Sequence, residues 1–316
     1  MTERIPDISV LIPTYSRRDI ILECLRDLDR QTLAPEQMEI VVIDDGSKDD
    51  TLEAVRAAGA GMRFKVVCET QPNSGASVAR NHAMRIATGR IFLIINDDTM
   101  ATPGMVGAHL RLHEAEPSDE IAALGPLKIS PKLPDSIFLH LHHDTCLDDL
   151  PDRHELTWKF FATFNISAKA ALLRRGGDFD TQLRWYEDTE LGLRLSKLGM
   201  RILFARDALG YHYHPMDEAK YLRLAENDGK ALAIWYSRNP EALPELIPLG
   251  LQSARLGTLA PRHKLADLAI NQATWPLWIG LARALSDSWR SQAITVYRKL
   301  FQWRKRRAIE ATLARG

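Results

Sequence analysis

Cysteine is scarce in this sequence. There are three in 316 residues, Cys24, Cys68 and Cys146, too far apart to form a CxxC pair. That excludes a disulfide-built scaffold and a zinc knuckle, and it fits a reducing cytosol. Net charge is missing as well, because 41 Lys and Arg meet 41 Asp and Glu. A nucleic-acid binder working by general phosphate attraction is therefore not expected. No stretch supplies the ~20 apolar residues that span a bilayer. The best candidate, Ala273 to Leu285, is too short and carries Pro276 and Arg283. The opening Met1-Thr-Glu-Arg-Ile-Pro-Asp7 has no apolar run of the signal-peptide kind. The expectation is a soluble, cytoplasmic chain. Absent motifs narrow the chemistry further. Without GxGxxG after the first strand or GxxxxGK[ST], nicotinamide or flavin dehydrogenases and P-loop NTPases drop out. Without GxSxG and HExxH, common serine hydrolases and zincins follow them.

What is present is ordinary globular composition, 45% hydrophobic and 26% charged, enough to bury a core. Short apolar runs at Ile8–Ile12, Glu39–Ile43, Arg63–Val67 and Ile91–Ile95 alternate with helical stretches bearing Ile21, Leu25 and Leu28, then Asp49–Ala58 and Ala76–Ala87. Buried runs between amphipathic helices predict an α/β fold, a mostly parallel sheet covered on both faces. Six prolines between residues 99 and 155 suit loops and edge structure. Glu187–Leu198 reads as a helix stopped by Gly199, and Ala219–Tyr236 as another.

In an open parallel sheet, ligands bind beyond the carboxyl ends of the strands. Here those ends are polar: Pro13-Thr14-Tyr15-Ser16, Asp44-Asp45-Gly46-Ser47 and Asn96-Asp97-Asp98. Each cluster alone could merely start a turn or cap a helix; all three together point to one site. Asp97 and Asp98 are hard oxygen ligands suited to Mg²⁺ or Mn²⁺, the ions that bridge a bound diphosphate. His212 and His214 alternate on a strand-like segment and so point to one side. His140, His142, His143 and Asp144 have strand-like spacing without a surrounding motif and read as a solvated loop on the acceptor side.

These residues resemble a family. Ser9-Val-Leu-Ile-Pro-Thr-Tyr15, Val41-Val-Ile-Asp-Asp-Gly-Ser47, Asn73-Ser-Gly-Ala-Ser-Val-Ala-Arg-Asn81 and Ile95-Asn-Asp-Asp98 are similar to the nucleotide half of family 2 glycosyltransferases, which have the GT-A fold. Phe164-Asn-Ile-Ser167, Gly176-Gly-Asp-Phe-Asp180 and Tyr186-Glu-Asp-Thr-Glu-Leu-Gly-Leu-Arg-Leu195 agree, and the likeness covers about residues 5 to 217. The resemblance implies an inverting, metal-dependent transfer of a sugar from a nucleotide diphosphate, expected to be a UDP-sugar, to a hydroxyl of a saccharide or related acceptor. It implies that Asp45 accepts from the uracil ring, with Pro13 and Tyr15 lining the base pocket. Arg80 would lie by the diphosphate and Asp97 on the ribose or sugar side. Asp98 would bind Mn²⁺ or Mg²⁺ with His212, or alternatively His214. Asp188, in the Glu187-Asp188 pair, would be the catalytic base, with Trp185 and Tyr186 as the acceptor platform. Read without the resemblance, Asp188 is a helix cap rather than a base. Asn96 departs from the family pattern, which commonly has Asp there. Gln182-Leu-Arg-Trp185 lacks the QxxRW spacing of processive synthases, so a single addition is expected.

The expected organisation is a nucleotide-sugar half over 1–100, an acceptor and catalytic half over 101–217, and a helical basic extension over 218–316. From Trp289 onward eight basic residues meet one acid, Glu310. Two readings stay open for this tail: peripheral contact with an anionic membrane, or a helical hairpin or dimer contact. Two other classes also stay open for the whole chain, a non-catalytic sugar-nucleotide or carbohydrate-binding module on the same fold and a metal-dependent nucleotidyltransferase.

Overall fold

The computed structural model describes residues 5–143, 147, 150–286 and 288–315. The chain divides into two compact units. One holds residues 1–133 and 145–214; the other holds 134–144 and 215–316.

The first unit begins with β1 (Ile8–Thr14), α1 (Arg18–Asp29), β2 (Met38–Asp44), α2 (Thr51–Gly59), β3 (Lys65–Thr70), α3 (Ala76–Ile86) and β4 (Ile91–Ile95). It continues with β5 (Thr99–Ala101), α4 (Met105–Ala115), β6 (Ile121–Leu124) and β7 (Leu127–Ile129). After α5 (Ile137–His142), which belongs to the other unit, come β8 (Glu155–Leu156), β9 (Asn165–Lys169), α6 (Ala170–Gly176), α7 (Glu187–Ser196), β10 (Arg201–Phe204) and β11 (Gly210–His212). Eight strands form one sheet in the order β3-β2-β1-β4-β9-β6-β10-β8. The sheet is mostly parallel; β9 runs antiparallel to β4 and β6, and β8 antiparallel to β10.

Side chains alternate across a strand, so each apolar run feeds two cores. Ile8, Val10 and Ile12 of β1, with Ile40, Val42, Leu93 and Ile95, face α1, α2 and α4 through Ile21, Leu25, Leu28, Val55 and Met105. Leu11, Val41, Ile43, Phe92 and Ile94 face α3, α6 and α7 through Ala79, Ala83, Leu172, Leu191 and Leu195. Burial on both faces is why these runs read as continuous rather than alternating. The loop-like reading of 99–155 missed α4, whose Met105, Val106, Leu110 and Leu112 are buried. The six prolines of that stretch lie outside this helix.

Helix α4 also buries two histidines. His109 contacts Ser167 Oγ at 2.8 Å and Asn165 Oδ1 at 2.9 Å, and His113 Nε2 lies 2.9 Å from the same Ser167 Oγ. Burial pushes the His109 imidazole down to about 4, with the Asn165 hydrogen bond opposing. Burial, then the charges of Lys169 and His109, pushes His113 to about 3. An unfolded histidine titrates near 6.5. The stability tied to keeping both rings neutral is therefore complete above that pH, and it is lost as pH falls toward 4 and 3. Urea midpoints at pH 7 and pH 4.5 should differ by the equivalent of a few kcal/mol, and His109→Gln should shrink the difference.

In the second unit, α5 is followed by α8 (Glu218–Arg238), α9 (Leu243–Leu246), α10 (Pro261–Ala269), α11 (Trp275–Leu285) and α12 (Arg290–Leu313). Tyr221, Ile279, Ala282, Tyr297 and Leu300 form its core. Gly229 lets α8 and α12 approach closely: a Cβ there would stand 2.3 Å from the Lys305 carbonyl oxygen. The residues read as a solvated loop at His140, His142 and His143 fall in or beside helix α5, started by Ser136 Oγ accepting from Leu139 N and anchored by Ile137 and Leu139. Asp144 and Cys146 lie outside the described residues.

The tail's basic block is used inside this unit. Lys305 pairs with Asp228 at 3.0 Å, Arg304 with Glu226 at 3.3 Å, and Arg306 with Asp267. Lys305 and Arg306 are buried. Three of the four charges of the Arg304–Arg307 block are thus matched by acids of this unit, and Arg307 is exposed. Among the described residues no helix is long and apolar enough to cross a membrane.

Candidate active site

Parallel pairing sets the site. Thr14 at the end of β1 lies opposite Asp44 of β2, and Leu11 opposite Ile94 of β4. The three polar strand ends therefore emerge along one edge, as the sequence predicts.

At the β4 end, Thr99 N bonds back to the Asn96 carbonyl in a turn that presents Asp97 and Asp98. Both are buried. Thr14 Oγ1 donates to Asp97 Oδ2 at 2.8 Å. The small sheet β5-β11-β7 puts His212 opposite Thr99, one residue past Asp98. His214 Nδ1 lies 3.1 Å from Asp98 Oδ2, and His212 Nε2 3.3 Å from Asp98 Oδ1. The two rings stack with centroids 5.2 Å apart. The sequence left the choice between these histidines open with a lean to His212; the fold brings both to the same carboxylate.

Arg17 completes this cluster, and sequence reasoning missed it. After β1, Ser16 takes a left-handed backbone with φ 48°, a rare conformation for a non-glycine residue. Arg17 follows, donating from Nη1 to Asp97 Oδ1 at 2.5 Å and from Nη2 to Asp98 Oδ2 at 2.8 Å. The signal was available as complementary charge: a basic Arg17-Arg18 pair at one strand end and an acidic pair at its neighbour. Burial pushes Asp97 up to about 6, with Asp98's charge adding to this and Arg17 opposing it. Burial acts the same way on Asp98, but His212, His214 and Arg17 outweigh it and hold that carboxyl well below the usual range.

These residues fit a divalent cation. One carboxylate and two imidazoles, with ligand atoms all within 4.8 Å of one another, are donors that Mn²⁺ accepts. Asp98 Oδ1 is buried yet accepts no aligned hydrogen bond among the described residues. With His212 Nε2 3.3 Å away but out of hydrogen-bond alignment, this buried oxygen is open to a further partner such as a cation.

At the β2 end, Gly46 has φ 75°, and a Cβ there would meet Asn73 N at 2.8 Å and Gln71 O at 2.9 Å. Glycine is what lets the 71–75 loop close over this strand end. Asp45 Oδ1 accepts from Gln71 Nε2 and Ser74 N, and Oδ2 from Gly75 N at 2.8 Å. Oδ2 keeps one acceptor position. Pro13 is half-buried and Tyr15 exposed beside this end.

The second carboxylate pair opens α7. Tyr186, at the cap position, has φ 64° and no side-chain cap bond. Asp188 is thus inside the first turn and is not the cap. Its Oδ2 accepts from Thr163 N at 3.2 Å and its Oδ1 from Thr189 N at 2.7 Å. Glu187 is tied to α3 and the β4 end by Arg80, whose Nη1 donates to Glu187 Oε1 at 2.7 Å while Nη2 donates to Asn96 Oδ1 at 3.1 Å. Burial and the Asp188 charge push the Glu187 carboxyl up, and Arg80 opposes them. Arg80, the residue expected near the diphosphate, bridges the β4 end to α7. Asn96, the departure from the family pattern, is its acceptor. Trp185 is exposed just before the pair.

An open, mostly parallel sheet with a carboxylate–histidine cluster beyond its strand ends is the arrangement of an α/β protein that binds its ligand at that edge. Residues 9–177 match the profile of "Glycosyl transferase family 2", and the chain belongs to this family. It is 30% identical over 276 residues to validoxylamine A glucosyltransferase of Streptomyces hygroscopicus subsp. limoneus, covering 78% of this chain and 59% of that protein. A second relative, the uncharacterized glycosyltransferase YfnE of Bacillus subtilis (strain 168), is 27% identical, with 66% and 65% covered. The chain thus spans about three fifths of the length of the curated relatives it matches. Among solved structures, mannosyltransferase PcManGT from Pyrobaculum calidifontis, in complex with GDP-Man and Mn²⁺, aligns with TM-score 0.62 at 21% identity, covering 94% of this chain and 86% of that one. S. aureus TarS 1-349 in complex with UDP-GlcNAc aligns with TM-score 0.55 at 21% identity, covering 93% and 90%. These likenesses establish the GT-A fold, with helices flanking the sheet and following it toward the C-terminus.

Proposed function

We propose that the protein is an inverting, metal-dependent glycosyltransferase that moves one sugar from a nucleotide diphosphate, a UDP-sugar, to a hydroxyl of a saccharide or related acceptor. The observation that carries this reading is the pair of acidic centres at one sheet edge: Asp97 and Asp98 with His212 and His214, joined through Asn96 and Arg80 to Glu187 and Asp188. Solved relatives bound to UDP, UDP-GlcNAc or GDP-Man with Mn²⁺ support a nucleotide-sugar donor and a divalent ion.

In this reading Asp98, His212 and His214 hold Mn²⁺ or Mg²⁺. When bound, the ion supplies charge stabilisation for a departing diphosphate. Asp45 Oδ2 offers its remaining acceptor position to the base, and the Gln71, Ser74 and Gly75 contacts fix its direction. Pro13 and Tyr15 flank the base, and Asp97 is positioned by Thr14 on the ribose or sugar side. Asp188 takes the proton from the acceptor hydroxyl as that oxygen attacks the anomeric carbon from the face opposite the leaving nucleotide. Thr163 N and Thr189 N orient its carboxylate, and Arg80 neutralises Glu187 so that two carboxylate charges do not compete at the same helix start. Trp185 and Tyr186 flank the acceptor. The reading places residues 1–100 as the donor half and 101–217 as the acceptor half, 218–316 as the helical extension, and the protein in the cytoplasm. Titration of UDP in the presence of Mn²⁺ or EDTA tests it: binding should require the metal, and metal-indifferent binding would count against it.

A further inference from the structure

We propose that Arg17 is a built-in competitor of the divalent ion, so that guanidinium and metal exchange on the Asp97–Asp98 pair and a diphosphate receives the displaced arginine. This inference rests on the metal site read above. Two adjacent carboxylates buried this deeply need a compensating cation. In the structure that cation is Arg17, with one Nη on each aspartate. Its neighbour Arg18 is turned away to Asp50.

A divalent ion bound at Asp98 would sit next to a guanidinium lying 2.8 Å from that carboxylate's other oxygen. Like charges this close repel strongly where the surroundings are poor in water. The arginine is the partner that can leave. Its side chain is 31% exposed, against 5% and 3% for the two aspartates, and it stands between β1 and α1. A released guanidinium at this edge needs an anion, and the planar fork is suited to phosphate oxygens. A nucleoside diphosphate has the matching chemistry. Metal and diphosphate should therefore bind cooperatively, each favouring the state in which Arg17 has left the aspartates.

The test is calorimetric titration of MnCl₂ into the full chain, alone and with UDP, for wild type, Arg17→Met and Arg17→Lys. Removing the competing charge should tighten binding of Mn²⁺ alone by about tenfold or more and reduce the gain in Mn²⁺ affinity that UDP confers. Arg17→Lys keeps the charge and should stay near wild type. Without added metal, Arg17→Met should melt at a lower temperature than wild type, and Mn²⁺ should raise its melting temperature by more. Arg17→Gln serves the same comparison if the Met variant does not fold. If wild type binds Mn²⁺ and the neutral variant binds it no more tightly, the competitor role is overturned while the metal site stands. If Mn²⁺ binds neither wild type nor any Arg17 variant, the metal site itself is overturned, and this inference with it.

Discussion

Asp188→Asn should lower sugar transfer by about 10³-fold while leaving UDP affinity within about threefold of wild type. The amide keeps the shape, but its single oxygen can accept from only one of Thr163 N and Thr189 N, so one of these two contacts is lost while the donor-side residues are left in place. What disappears is the capacity to take a proton from an acceptor hydroxyl. A base removed without disturbing the donor site should leave KM for the donor nearly unchanged and put the loss in kcat. For the wild-type enzyme, proton NMR of the first product should show the anomeric configuration opposite to that of the donor. A variant that keeps full turnover would assign Asp188 to holding Thr163 and the start of α7, and would move the base elsewhere.

Arg80→Met should destabilise the fold by about 3 kcal/mol or more, because it leaves the Glu187 carboxylate buried without its partner. The ion pair is nearly enclosed, with side-chain exposures of 6% and 13%. Burial and the Asp188 charge already push the Glu187 carboxyl upward, and Arg80 is the group that opposes them. The sharper result is the double variant. Arg80→Met with Glu187→Gln removes both charges, so much of the lost stability should return, as measured by urea midpoints through a double-mutant cycle. If the double variant is as unstable as the sum of the two single changes, the pair is not coupled. Arg80 would then contribute through its packing on Phe179, whose ring centroid lies 5.8 Å from the guanidinium carbon.

These two side chains also mark where the sequence was and was not readable. Strands β1, β2 and β4 were legible because residues buried on both faces must be apolar throughout, which leaves an unbroken run. Their polar ends were legible because nothing in the core explains an aspartate pair after Ile91–Ile95. The pairing of His212 and His214 with one carboxylate was half legible: alternation on a strand gives a shared side, but only the β5-β11 register sets that side against Asp98. Contacts made across long separations were not legible. Arg17 reaches aspartates 80 and 81 residues away, and Arg80 reaches a glutamate 107 residues away. Helix α5 was hidden by the prolines around it. The pairing of Arg304, Lys305 and Arg306 was hidden because their acids come from two other helices, Glu226 and Asp228 from α8 and Asp267 from α10.

The central claim is that Asp98 and its histidines form a metal-dependent donor site. Calorimetric titration of UDP into the protein with Mn²⁺, with EDTA, and with Mn²⁺ against Asp98→Ala tests it most directly. The account predicts binding with Mn²⁺, none with EDTA and none in the variant. UDP binding that is equal in all three would contradict it.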